Sequence, residues 1–282
     1  MTPRPRLLTL IVAYNAEKTI SEVFTRIPRD LADQLAVEIL AMDDASQDRT
    51  FERCDALRRD NRSPFRLRVI ANPVNQGYGG NQKLGYQAAI REGFDYVALL
   101  HGDGQYAPEC LPRLLAPLLA GEADAVLGSR MLERGAALKG GMPIYKFVGN
   151  RILTFLQNRM LGTRLSEFHS GYRIYSVRSL KTIPFELNSN GFHFDTQIII
   201  QLLFSGQTIR EVPIPTYYGD EISHVNGIAY AWNVLAQTFI ARLHQLRLVY
   251  DRKFDCAGAA SAENAPSTGA EEKVAPDLVA NH

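Results

Sequence analysis

The sequence predicts an α/β protein: a mainly parallel sheet flanked by helices, with a C-terminal helical extension. Three observations carry this. Short apolar runs alternate with helical patterns through about residue 130. The runs are rich in Val, Leu and Ile and lack polar alternation, as in strands buried on both faces. Polar clusters follow directly after most of these runs, where parallel α/β sheets bind ligands, beyond the carboxyl ends of their strands.

Leu7–Ala13 is the first predicted strand, too short for a signal-peptide core. The helix Glu17–Ile27 follows, then the strand Val37–Met42 and the helix Asp48–Arg62, with Ser46 or Asp48 as its cap. The strand Leu67–Ala71 leads to the helix Gln82–Gly93, and Tyr96–Leu100 leads to Pro108–Leu119, where Pro108 suits a first turn. Ala125–Gly128 is the fifth strand. Beyond it the pattern gives helices at Tyr145–Leu161 and Phe194–Phe204, a strand at Ile209–Pro213, and a long amphipathic helix at Tyr230–Tyr250. That last helix carries Trp232, Leu235, Phe239, Leu243, Leu246 and Tyr250 on one stripe. From about Cys256 the chain turns Ala/Ser/Glu/Pro-rich and aromatic-free, a composition expected to be disordered.

A chain of 282 residues with 46% hydrophobic residues can bury one large core. The net charge of +1 leaves no global basic field, which argues against a nucleic-acid partner. Cys54, Cys110 and Cys256 are odd in number and form no CxxC pair, so they read as reduced thiols of a cytoplasmic protein. No apolar run reaches the roughly 18 residues a membrane span needs.

Five constellations carry chemistry. His101-Gly102-Asp103-Gly104-Gln105 follows the fourth strand. A carboxylate there, with glycines allowing close backbone approach, suits Mg²⁺ or Mn²⁺ held on a pyrophosphate; the alternative is a tight turn closed by Asp103. Asp43 and Asp44 end the second strand, and their mutual repulsion calls for a ligand or backbone donors. Asp44 reads as the ligand contact, accepting from a base N–H or a ribose hydroxyl. The Gly-rich stretch Asn75–Asn81 lacks both the Walker ending and the dinucleotide fingerprint and reads as a loop-to-helix turn. Gly128-Ser129-Arg130 sets an arginine at a strand end, for phosphate oxygens or for a surface ion pair. Finally, Glu167–Arg173 gathers an acid, a histidine, a hydroxyl and an arginine. Glu167 or His169 is a candidate base on an acceptor hydroxyl, and Arg173 can hold charge.

Taken in order, these motifs resemble the family 2 glycosyltransferases of GT-A (Rossmann-like) fold, nearest the dolichyl-phosphate mannose synthase and polyprenyl-phosphate sugar transferase branch. The resemblance spans roughly residues 6 to 225. It rests on Val12-Ala13-Tyr14-Asn15 with Ile20, on Asp43–Thr50 against Asp-Asp-Gly-Ser-x-Asp-x-Thr, and on His101–Gln105 at the Asp-x-Asp position. It rests further on Ser129-Arg130, Ser170-Gly171-Tyr172-Arg173, Asn190-Gly191-Phe192 through Asp195, and Glu211-Val212-Pro213-Ile214. It implies inverting transfer of a sugar from a UDP- or GDP-sugar to an acceptor, with Mg²⁺ or Mn²⁺. Donor contacts are implied at Ala13, Tyr14, Asn15, Glu17, Asp43, Asp44, Gly77, Asn81, Gly102, Asp103, Gln105 and His224. Metal contacts are implied at His101, Asp103 and Gln105, and catalytic roles at Asp103, Arg130, Glu167, His169 and Arg173.

The chain departs from the family pattern in five places: His101 for the first Asp of the metal motif, Ala16 for an acid, Ala45 for Gly, Glu167 for Asp, and Ser223-His224 for Ser-Lys. The implied organisation is a catalytic domain over 1–225, divided near residue 130 into nucleotide-sugar and acceptor halves. An amphipathic helix over 226–254 and a disordered tail over 255–282 complete it. With a polyprenyl phosphate as acceptor, Arg130 and Arg173 would be phosphate ligands and no strong base is needed; with a hydroxyl acceptor, Glu167 would deprotonate it. The helices Tyr145–Leu161 and Tyr230–Tyr250, with Lys146, Arg151, Arg159, Arg242, Arg247, Arg252 and Lys253, suit peripheral contact with the inner face of an anionic membrane, or packing on the domain. Three rivals are a nucleotidyltransferase, a Rossmann dehydrogenase and a nucleotide-sugar binding protein without catalysis. Tyr14–Glu17 lacks the catalytic Lys or Arg of the first, no GxGxxG serves the second, and His101 is the best support for the third.

Overall fold

A computed structural model describes residues 3–60, 63–217 and 227–256. His224 and the stretch 257–282 lie outside the described residues. Among the described residues, seven strands form one sheet: β1 (Arg6–Ala13), β2 (Ala36–Asp43), β3 (Arg66–Ala71), β4 (Tyr96–His101), β5 (Ala125–Ser129), β6 (Arg173–Ser176) and β7 (Ile209–Pro213). Their order is β3-β2-β1-β4-β6-β5-β7. Every pairing is parallel except those of β6, which runs antiparallel to β4 and β5.

The helices are α1 (Ile20–Thr25), α2 (Leu31–Gln34), α3 (Thr50–Asp60), α4 (Tyr78–Arg91), α5 (Leu111–Leu119), α6 (Ala136–Lys139), α7 (Ile144–Leu161), α8 (Val177–Leu180), α9 (Phe194–Phe204) and α10 (Gly227–Gln245). The strands lack polar alternation because both sheet faces are covered. Leu7 and Ile11 of β1 join one core with Ile39, Leu100, Ile20 and Leu114. Leu8 and Leu10 point the other way, into a second core with Leu40, Leu99, Tyr86 and Ile198.

Several expectations change. Arg173–Ser176 reads as a motif end in sequence, yet it is a fully buried strand, four residues being too few for a periodic signal. Helix α1 is shorter than the Glu17–Ile27 pattern, because residues 15–19 form the turn over the sheet. Helix α4 begins at Tyr78, so Gly79 and Gly80 of the expected loop-to-helix turn lie in its first turn, while Gly77 (φ +77°) is its N-cap. Asp48, not Ser46, caps α3: its Oδ1 accepts from Thr50 N at 3.0 Å. The largest change concerns α10. Its buried residues are Val234, Thr238 and Ala241, while Trp232 (74% exposed) and Phe239 of the predicted stripe face outward. The small side of the helix fits against α7 and α9. Cys256, at the start of the stretch expected to be disordered, is buried.

Candidate active site

The register brings the polar clusters together. Ala13 sits opposite Asp43, and Val12 opposite His101. The loops that follow are hooked to one another: Gly102 N donates to Val12 O (2.9 Å), Asp44 N to Ala13 O (2.9 Å), and Asn72 N to Asp43 O (2.8 Å). Thr19 Oγ1 donates to Gly102 O at 2.7 Å. The β1 and β2 loops are laced by side chains. Asn15 N donates to Ser46 Oγ (2.9 Å) and Asn15 Oδ1 accepts from Gln47 N (2.9 Å). Glu17 Oε2 accepts from Arg49 N at 3.1 Å. Asp43 accepts from the hydroxyl and backbone N–H of Ser46; burial nevertheless pushes its pKa up against those bonds.

Asp44 is buried and its carboxylate is engaged by protein: Asn72 Nδ2 (2.8 Å) and Gln76 N (2.8 Å) donate to Oδ1, and Gly77 N (3.0 Å) to Oδ2. Asn81 is likewise tied to Asn72 and to Met42 O. These groups build the cleft floor. Tyr14, by contrast, is exposed at the strand end. Asp103 is exposed on the turn after β4, with Oδ1 accepting from Gln105 N at 3.0 Å. Its second oxygen has no protein partner among the described residues.

On the acceptor side, Arg130 and Glu167 form a buried pair. Arg130 N donates to Glu167 Oε2 (2.8 Å), its Nε to Oε1 (3.1 Å), and its Nη2 also to Oε1; Asn150 Nδ2 adds a bond at 2.8 Å. Burial by itself would raise the Glu167 pKa, but the Arg130 charge and these bonds hold it below the usual carboxylate range. His169 Nδ1 meets the Tyr230 hydroxyl at 2.9 Å, and burial pushes its pKa down to about 4. Arg173 is wholly buried: it donates to Ser170 O, Asp195 O and Phe168 O at 2.8–3.0 Å and pairs with Asp195 at 3.3 Å. It braces the loop from within.

Residues 9–183 match the family described as glycosyl transferase family 2. The chain is a family 2 glycosyltransferase. Its similar relatives include an undecaprenyl-phosphate mannosyltransferase of Micrococcus luteus, 29% identical over 74% of this chain and 82% of the relative. Another is a polyprenol monophosphomannose synthase of Mycolicibacterium smegmatis, 28% identical over 75% and 77%. Glucosyl-3-phosphoglycerate synthase of Mycobacterium tuberculosis shares the GT-A fold, with a TM-score of 0.61, 20% identity, and coverage of 88% of this chain and 82% of that one. One structure of that enzyme holds Mn²⁺, UDP-glucose and glycerol 3-phosphate.

In this glycosyltransferase Asp103 fits a divalent cation: it is an exposed hard oxygen donor at the strand end beside the donor loops. Among the described residues no cluster of three or more His, Cys, Asp or Glu stands ready to hold a metal. Four contributors escaped sequence reasoning. Tyr106 O–H accepts from Gly171 N at 2.7 Å and joins the two halves; Tyr78 donates to Asp195 Oδ2 at 2.8 Å; Asn150 bonds Glu167; Glu211 accepts from Ser166 and from Glu167 N. Their partners lie far away in sequence, so no local pattern marks them. Tyr78, inside the Gly-rich stretch, Tyr106, next to Gln105, and Glu211, which opens the Glu211–Ile214 block, stood close to a signal, but none was read as a site residue.

Proposed function

We propose that this glycosyltransferase moves one sugar from a nucleoside-diphosphate sugar to the phosphate of a polyprenyl phosphate, with inversion. One observation carries the reading: neither candidate base on the acceptor side, Glu167 or His169, is placed to act as one. Glu167 is buried, bonded to Arg130 and Asn150 and held anionic. His169, with a pKa near 4 and Nδ1 engaged, is too weak a base to take a hydroxyl proton. A phosphate oxygen is already anionic and needs no such help.

In the proposed step an acceptor oxygen bonds to the anomeric carbon as the carbon's bond to the diphosphate oxygen breaks. The electron pair leaves with the nucleoside diphosphate and no proton moves. Asp103, with Gln105 beside it, would hold Mg²⁺ or Mn²⁺, which neutralises charge on the departing diphosphate. Tyr14 presents a ring for the base, and the Asp44-braced loop shapes the floor beneath the donor. Glu167 orients Arg130 toward the acceptor anion. The relatives named for polyprenyl phosphates support this acceptor class. Outward-facing Ile144, Tyr145, Ile152 and Phe155 on α7, and Ile228, Trp232 and Phe239 on α10, support approach to a lipid surface.

The test offers radiolabelled UDP- and GDP-sugars with undecaprenyl phosphate, or with hydroxyl acceptors, in Mn²⁺, Mg²⁺ or EDTA. The expected product is butanol-extractable, cleaved by mild acid as a glycosyl phosphate, and of inverted anomeric configuration. Transfer to hydroxyl acceptors alone would refute the phosphate-acceptor reading.

A further inference from the structure

Helices α7 and α10 each carry two stripes. On α7, Ile144, Val148, Ile152 and Phe155 are exposed, whereas Asn150, Thr154 and Gln157 are buried. On α10, Ile228, Trp232 and Phe239 are exposed, whereas Val234, Thr238 and Ala241 are buried, and half-buried Tyr230 lies one turn ahead of Val234 on their side. Spacings of three and four residues keep each stripe on one face. The inward stripe of each helix begins with a polar side chain that reaches the acceptor side. Asn150 Nδ2 donates to Glu167 Oε1 at 2.8 Å, while Asn150 Oδ1 accepts from Thr154 Oγ1 at 3.2 Å. The Tyr230 hydroxyl meets His169 Nδ1 at 2.9 Å. The ring's other nitrogen, Nε2, is buried without a partner among the described residues, so Tyr230 is the polar tether of that ring. Glu167 and His169 both hold the Arg130 guanidinium: Nε donates to Glu167 Oε1 at 3.1 Å, and Nη2 to the His169 carbonyl at 3.3 Å.

We propose that Asn150 and Tyr230 are positioning residues that tie the outward-facing helices to Arg130, so that contact of α7 and α10 with a lipid surface orders the acceptor site. This rests on the lipid-phosphate acceptor proposed above. Neither side chain touches substrate; each acts through the residue it bonds, Asn150 through Glu167 and Tyr230 through His169. The helices pack on each other through small and polar groups, with Gln157 Nε2 donating to Thr238 Oγ1 at 3.5 Å. So loose a seam leaves their mutual tilt weakly fixed. A lipid surface that takes up both exposed stripes favours one tilt, and it shifts the ensemble toward that tilt by its better affinity for it. That tilt sets the distance between Asn150 and Tyr230, the two points from which the partners of Arg130 are held.

The experiment uses the full chain with vesicles of phosphatidylcholine and phosphatidylglycerol. Trp232 is the only tryptophan, so a blue shift of its emission reports α10 entering the lipid surface. Hydrogen exchange over residues 166–173 reports the loop that holds Arg130. In the wild type we expect vesicles to slow that exchange about tenfold, within the usual range of coupling between sites. Tyr230→Phe keeps the ring and loses the hydroxyl. It should keep the Trp232 shift, while the vesicle effect on 166–173 falls to about twofold or less. In transfer assays the same variant should raise KM for undecaprenyl phosphate about three- to tenfold, the scale of one lost hydrogen bond, and leave KM for the sugar nucleotide unchanged. Asn150→Ala should split the two KM values in the same direction. A Trp232 shift without slower exchange in the wild type, exchange in Tyr230→Phe that slows as in the wild type, or equal rises in both KM values would each overturn the proposal. An unmoved Trp232 would overturn it as well, by removing the lipid surface itself. Exchange coupling that stands while undecaprenyl phosphate accepts no sugar would fault the acceptor assignment alone and support the coupling.

Discussion

Ala45 holds a left-handed backbone, φ +58°, in the turn after β2. A Cβ there is strained by roughly 1–2 kcal/mol, of which the extra freedom glycine has when unfolded offsets part. Ala45→Gly is therefore expected to stabilise the protein by about 0.5–1 kcal/mol, read from chemical denaturation. His169 sets a pH dependence. Its folded pKa near 4 lies below the ordinary histidine value of 6.5. Its contribution is thus complete above about pH 6.5 and is lost as pH falls toward 4, because the unfolded chain takes up the proton first. The charges acting on it are Glu167, which favours protonation, and Arg130 and Arg173, which oppose it. Between pH 7 and pH 5 about 2 kcal/mol should disappear through this residue. His169→Gln should flatten the stability–pH profile by that amount; an unchanged slope would show that the ring is not held neutral. Asp103 and Arg130 were legible in sequence as strand-end residues. The inward commitment of Asp44, Glu167 and Arg173 was not, because it depends on partners outside their local stretches.

Among the elements, α4 shows packing overruling propensity. Alanine favours a helix over glycine by about 1 kcal/mol. At Gly79, however, a Cβ would lie 2.5 Å from Ser189 O and 2.6 Å from Phe194 Cβ. Overpacking of this kind costs about 1–3 kcal/mol, enough to reverse the sign. Gly79→Ala should lower the melting temperature, whereas the substitution at half-buried Gly149 of α7, where a Cβ meets nothing within 4 Å, should raise it. A stabilising Gly79→Ala would mean that the 189–194 segment does not sit on α4. The same close approach accounts for the glycines of a stretch that reads as a loop-to-helix turn and whose residues from Tyr78 on form the first helical turn. Strand β6 is a parallel lesson: four residues carry little pattern of their own, and their buried position between β4 and β5 makes them a strand.

At the scale of the whole molecule, the pairing of α7 with α10 leaves large side chains outside. The buried contacts between them are small and polar, such as Gln157 Nε2 to Thr238 Oγ1 at 3.5 Å, while Phe155 (66% exposed) and Trp232 face outward. Among the described residues no helix is long and apolar enough to cross a membrane. A surface of exposed aromatics with nearby cations such as Arg151 and Arg159 matches the proposed lipid acceptor. The double variant Phe155→Ser/Trp232→Ser should melt within about 0.5 kcal/mol of the wild type, as exposed sites do, but lose flotation with anionic vesicles. Wild-type protein that stays at the bottom of the gradient would remove the membrane contact.

The sequence by itself determined the mainly parallel sheet, the family and the positions of the strand-end clusters. These follow from short-range pattern: apolar runs make buried strands, and the residues after parallel strands must face the cleft. Only the tertiary structure decided which of those residues remain available to a ligand. Tyr78 finds Asp195 117 positions away, and Gly171 finds Tyr106 65 positions away. The same long-range pairings turn His101 inward, engage Glu167 with Arg130 and set the aromatic stripe of α10 outward. A polar side chain in a fold bonds to whatever the topology brings within about 3 Å, and no local pattern records that choice.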